Sequence, residues 1–155
     1  MKKKFQSAHI LQLFLTILAL VESGTVTSVA FSISDEHCYV GNKNANVVIS
    51  FTPATTLTTG GVITLHYPAD FLASVAPVVI NGGGIVVSAA APNSLLNAIL
   101  LTVTSGSISA SNSFTMTLLG LQIKKIPDGS VESVRITTTA DSNGTQQGVS
   151  TGSNE

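Results

Sequence analysis

The sequence predicts an all-β protein, an antiparallel β-sandwich of about seven to nine strands. Three observations carry this. Apolar residues alternate with Ser and Thr over many short runs, the period of a half-buried strand. Gly, Pro and Asn punctuate those runs at short intervals. The composition is that of a β-rich extracellular module: 10% charged, 44% hydrophobic, no Trp, across 155 residues. The length allows one domain, or one domain with tails.

Residues 46–71, NVVISFTPATTLTTGGVITLHYPADF, set the grammar. Val47, Ile49 and Phe51 share one face of a first run; Ile63, Leu65 and Tyr67 share one face of a second. Pro53 ends the first run because it has no N–H to donate. Upstream, residues 25–34 form a strand with Val29, Phe31 and Ile33 inward. Residues 35–45 form a polar turn. Residues 55–59 fall at an edge or in a loop, and Gly60-Gly61 turns the chain into the strand 62–67. Phe71 is expected to fold back as a plug. Residues 78–80 and 85–88 are expected to pair as a hairpin around Asn81-Gly82-Gly83-Gly84. Residues 89–97 admit a short helical turn, which Pro92 and Asn93 keep short. Strands follow at 98–104, with Ile99, Leu101 and Val103 inward, and at 114–119, with Phe114, Met116 and Leu118 inward. Pro127-Asp128-Gly129 marks a β-turn before a last strand at 131–139. No fixed-period repeat is present.

The N-terminus reads as a signal peptide over residues 1–23. Lys2, Lys3 and Lys4 precede a 12-residue apolar run, Ile10 to Val21, and Val21-Glu22-Ser23 offers a cut after Ser23. A cut after Ala30 would remove part of a strand. The run is shorter than the roughly 20 apolar residues a span requires, so no membrane span is expected after cleavage. The expected domain is 24–140, followed by a polar, flexible tail or linker stub over 141–155, with a hairpin at Ser142-Asn143-Gly144 and one weak further strand as the alternative. Without the leader the chain has four basic residues against seven acidic ones, a net charge of −3. That balance offers no basic patch for nucleic acid. The expected location is secreted: extracellular or at the cell surface.

The block 48–71 and the later Ser105-Gly106-Ser107-Ile108 with 114–121 (FTMTLLGL) resemble immunoglobulin-like β-sandwich modules of microbial and algal surface proteins. The resemblance covers about 26–139. It implies an immunoglobulin-like, Greek-key strand order and a role in adhesion or surface architecture. It transfers no functional residue.

The candidate sites are few. His37-Cys38 with His66 could supply zinc ligands, but neighbouring strand residues point to opposite faces, and a surface His with a small buried thiol is the simpler reading. Cys38, the single cysteine, forms no internal disulfide and is a candidate for an intermolecular one. Asp35-Glu36 with Asp70, Asp128 or Asp141 lacks calcium-loop spacing. Asn143-Gly144-Thr145 is an N-glycosylation sequon, with Asn143 the acceptor. Lys43, Lys124 and Lys125 would need burial beside an acid to form isopeptide links. The Thr-x-Thr pairs are too irregular for an ice-binding array. The single G-x-S-x-G string, Gly148 to Gly152, lies in a polar stretch without the strand-to-helix pattern of a nucleophile elbow, and Gly82-Gly83-Gly84 lacks the Lys-Ser/Thr of a phosphate loop. No catalytic, cofactor or metal residue is assigned. The expected function is therefore a secreted, non-enzymatic β-sandwich for adhesion, surface architecture or protein recognition. Its partners would be a protein, a cell-surface or matrix component, or a second copy through strand addition. The alternative is a carbohydrate-binding module or small secreted hydrolase on the same fold, which two carboxylates in a cleft, or Tyr39 and Tyr67 exposed together, would favour.

Overall fold

A computed structural model describes residues 23–81, 83–125, 133–148 and 150–151. Most of the expected leader and the 127–129 turn lie outside these residues. The fold is an antiparallel β-sandwich, and the described residues are all-β apart from one 3-10 turn at Asp35–His37. The first sheet has the order β11-β1-β2-β9-β5: β1 is Thr25–Ile33, β2 Ala45–Thr52, β5 Val78–Asn81, β9 Phe114–Leu121 and β11 Asn143–Gly144. The second has the order β12-β10-β4-β7-β6: β4 is Val62–His66, β6 Val86–Ala89, β7 Ala98–Ser105, β10 Ser133–Thr138 and β12 Gln146–Gly148. A last strand, β13 (Ser150–Thr151), returns to β1.

The alternation places one side chain in two between the sheets. Val47, Ile49, Phe51, Met116 and Leu118 of the first sheet meet Ile63, Leu65, Ile99, Leu101, Val134 and Ile136 of the second in one core cluster. The ends of the sandwich are stoppered. At one end Phe71 is buried and its ring packs tilted on Phe31, centroids 6.0 Å apart. At the other, Leu57 of β3 (Leu57–Thr58) and Ile108 of β8 (Ser107–Ile108) pair in a two-stranded ribbon and are both buried. The isolated Ile108 is thus a plug, opposite the segment assigned to an edge or loop.

Two expectations about pairing are corrected. The strands flanking the glycine turn do not form a hairpin. β5 pairs with β9 in one sheet and β6 with β7 in the other, so the turn steps across the core. Each strand gains a longer neighbour that way, with Val79 packed against the core and Val87 buried in it. The segment expected as a polar tail is also not wholly a tail. β11 and β13 pair in parallel with β1, and β12 pairs antiparallel with β10. Backbone hydrogen bonds, which carry no hydrophobic signature, hold it there. Gly144 permits the approach, since a Cβ at this position would overlap the Ile136 carbonyl oxygen. Residues 89–97 form no helix; their turn is described below.

Antiparallel pairing sorts the connections to two poles. At one pole lie 34–44, 67–77, 90–97 and 122–125; at the other lie 53–61, 83–85, 106–113 and 139–145.

Candidate functional site

The first pole is built from loops that brace one another through the backbone. Gly41 N–H donates to the Ile123 carbonyl and Ile123 N–H to that of Asn42, both at 2.9 Å. Lys124 N–H donates to the Phe71 carbonyl at 2.8 Å, and Tyr67 N–H to that of Asn97 at 2.9 Å. Within the β1–β2 connection, buried Asn42 donates from Nδ2 to the His37 carbonyl at 2.7 Å and accepts Asn44 N–H on Oδ1 at 2.8 Å.

The most exposed of the large apolar residues, Leu95, sits beside Leu96 on one of these loops. Asn93 and Ala98 exchange backbone hydrogen bonds at 2.8 and 3.3 Å, closing a turn. The Asn93 side-chain oxygen accepts Leu95 N–H at 2.9 Å and Leu96 N–H at 3.2 Å, an Asx arrangement that fixes the turn locally. Asn97 takes φ +48°, which Asn tolerates better than most residues. From below, the Tyr67 hydroxyl donates to the Asn93 carbonyl at 3.3 Å and Ser74 Oγ to that of Pro92 at 3.0 Å. The result is a braced turn with Leu95 92% and Leu96 63% exposed. The same pole carries exposed Tyr39 and Val40.

Charge is gathered at this pole as well. From 71 to 123 the chain carries no Asp, Glu, Lys, Arg or His. Exposed Glu36, Lys43, Asp70, Lys124 and Lys125 all lie in the first pole's loops, with Lys124 and Asp70 paired at 3.4 Å. Arg135 and His66 stand in register on the adjoining outer face of the second sheet, where the His66 ring lies 3.3 Å from Thr137 Oγ1. Burial, and secondarily the Arg135 charge, hold the His66 imidazole below its ordinary value.

At the opposite pole the described loops have one ionisable side chain, Asp141, and it is buried. Its Oδ2 accepts Ala54 N–H at 2.9 Å and Thr55 N–H at 3.1 Å. Its own N–H donates to Thr138 Oγ1 at 2.9 Å, and its carbonyl accepts Thr138 N–H at 2.9 Å. Asp141 therefore clasps the exit of β2 to the exit of β10. Its Oδ1 is buried with no hydrogen-bond partner.

The remaining candidates are dispersed. His37, in the first pole's loops, shares a 3.0 Å hydrogen bond with Ser34 Oγ, while His66 lies on a sheet face. Among the described residues no three His, Cys, Asp or Glu side chains converge. Cys38 is half-buried and packs against the core. Asn143 is exposed on β11 at the flank of β1, and Thr145 N–H donates to the Val26 carbonyl at 3.0 Å. Lys43, Lys124 and Lys125 are all exposed, which removes the burial an isopeptide link needs. Tyr67 is buried, so it does not join Tyr39 on an open face. The Leu95–Leu96 turn was not identifiable as a site from sequence; its signal is a pair of leucines bracketed by Asn93 and Asn97, which reads equally as a helical turn.

Fold and site together define a β-sandwich with a loop-borne surface mixing apolar and charged groups. No protein-family model matches the chain, and no curated protein does. Two solved structures of a GH20 exo-β-N-acetylglucosaminidase from Vibrio harveyi, one in complex with N-acetylglucosamine and one an inactive mutant, are similar at 11% and 12% identity, both with a TM-score of 0.38. Each match covers 79% of this chain and 18% of the enzyme chain. A likeness that slight carries no argument about this protein.

Proposed function

We propose that this chain is an exported, non-enzymatic recognition module, acting in adhesion or surface architecture, that binds a protein partner through the pole bearing Leu95 and Leu96. The observation that carries this reading is the braced turn. Leaving two leucines in water forgoes roughly 1.5–3 kcal/mol each relative to burial, and the Asn93 hydrogen bonds hold them in place before any partner arrives. A preformed apolar tip with charged neighbours combines an anchor with a polar surround, the anatomy of a protein–protein contact. Preorganisation lowers the ordering cost of binding. The strand order lends support to the immunoglobulin-like resemblance. Constant-type immunoglobulin domains place strands A, B, E and D opposite G, F and C; β1, β2, β9 and β5 here face β12, β10 and β4, with β7 and β6 added beyond β4.

The test compares the exported protein with a Leu95→Ser/Leu96→Ser variant. Both are coated on beads and scored for adhesion to extracellular-matrix proteins, to cell surfaces and to beads carrying a second copy. The variant is expected to lose at least about tenfold in adhesion, the equivalent of ~1.4 kcal/mol, with an unchanged melting temperature. Equal adhesion by both proteins overturns the reading, and retention on a glycan array would replace it with the carbohydrate-binding one.

A further inference from the structure

Asp141 presents a problem that the described chain does not solve. It is fully buried, two backbone N–H groups occupy Oδ2, and Oδ1 has nothing. A buried carboxylate oxygen without a donor is costly. What lies against Oδ1 is the backbone of Gly24. A Cβ built on Gly24 would overlap Oδ1 and press on the Ala54 side chain. The orphan oxygen therefore faces the Gly24 Cα across the space where other residues carry a side chain.

We infer that the missing partner of Asp141 Oδ1 is the α-ammonium group of Gly24, created when the leader is cut after Ser23. This rests on the export reading. A signal peptidase adds water across the Ser23–Gly24 peptide bond. The carboxylate leaves on Ser23 with the leader, and the mature chain begins with the protonated Gly24 nitrogen. Before the cut, that nitrogen is an amide whose direction is fixed by Ser23, and Ser23 is anchored by Ser142 N–H donating to its Oγ at 2.9 Å. After the cut, rotation about the Gly24 Cα–C bond swings the freed nitrogen toward its Cβ side, where it meets Oδ1 at hydrogen-bonding range before it reaches the Cβ position itself, which Oδ1 and the Ala54 side chain crowd. Gly is the residue that allows this, because no side chain competes for the space. The exchange gives up exposed hydrogen bonds between Ser23 and Ser142 and gains a charge-assisted one to a buried carboxylate. Processing would then complete the clasp between the β2 and β10 exits, so that the mature form is the better-locked one.

The experiment expresses the full-length precursor in a secreting host and purifies the exported product. Mass spectrometry reads its first residue. Acylation of the α-amine by an N-hydroxysuccinimide ester near neutral pH is then timed in native and in urea-unfolded protein, for wild type, for Asp141→Asn, and for a precursor with one extra Gly inserted before Gly24. The expected result is a chain starting at Gly24 whose native amine reacts at least about tenfold more slowly than the unfolded one, with that protection lost in Asp141→Asn and in the insertion variant. Should Asp141→Asn fail to fold, the insertion variant carries the comparison. A first residue other than Gly24, or a retained leader, overturns the inference together with the cleavage site. A chain starting at Gly24 whose amine is unprotected, or stays protected without the Asp141 carboxylate or with the amine displaced, overturns the inference and leaves export standing.

Discussion

Single residues here do work that their type alone does not announce. Asp141 sits in a polar stretch that reads as solvent-exposed, yet it holds two backbone N–H groups from a segment 86 and 87 positions away. Gly144 reads as sequon filler, yet any side chain there would strike the backbone of β10. His66 gives this scale a measurable consequence. Burial first, then the Arg135 charge, lowers its folded pKa below the ordinary 6.5. The unfolded chain therefore takes up the proton first as pH falls. Stability is full above pH 6.5, declines as pH drops through that value, and levels off once the folded imidazole is also protonated. The urea midpoint is expected to be higher at pH 7.5 than at pH 5.5, with a smaller difference in His66→Gln. An undiminished difference in that variant would assign the effect to another group.

At the scale of elements, the Asn93 turn separates stability from recognition. Asn93→Ala removes the side-chain acceptor for Leu95 and Leu96 N–H while keeping the Ala98 backbone pair. The loss expected is about 0.5–1.5 kcal/mol by denaturant titration, accompanied by faster hydrogen exchange at Leu95 and Leu96. The turn's internal bonds could not be read from the chain, because Asn, Ser and Leu in that order suit a helical turn equally well. What selects the hairpin is Tyr67 and Ser74 reaching across from a different connection. The strand faces, by contrast, were legible. Phe31, Ile49, Leu65, Leu101, Met116 and Ile136 are all buried where the alternation puts them.

For the whole molecule, that alternation makes adjacent residues of one strand opposite in consequence. Ile49 is fully buried between the sheets, while Val48 is 42% exposed on the outer face. Ile49→Ala is expected to cost about 2–5 kcal/mol and Val48→Ala less than about 0.5 kcal/mol, read as unfolding free energies from paired urea titrations. The sequence by itself determined the β class, the inward face of each main strand and the stoppering role of Phe71. Those follow from a period of two, which every short segment carries within itself. Only the tertiary structure decided that β5 and β6 part into different sheets, that β11 and β13 run parallel beside β1, and that the charged side chains of the described loops and the exposed leucines collect at one pole while Asp141 is sealed in the other. Those depend on which backbone edges meet across long chain separations, and an edge carries the same N–H and C=O groups whatever its side chains are.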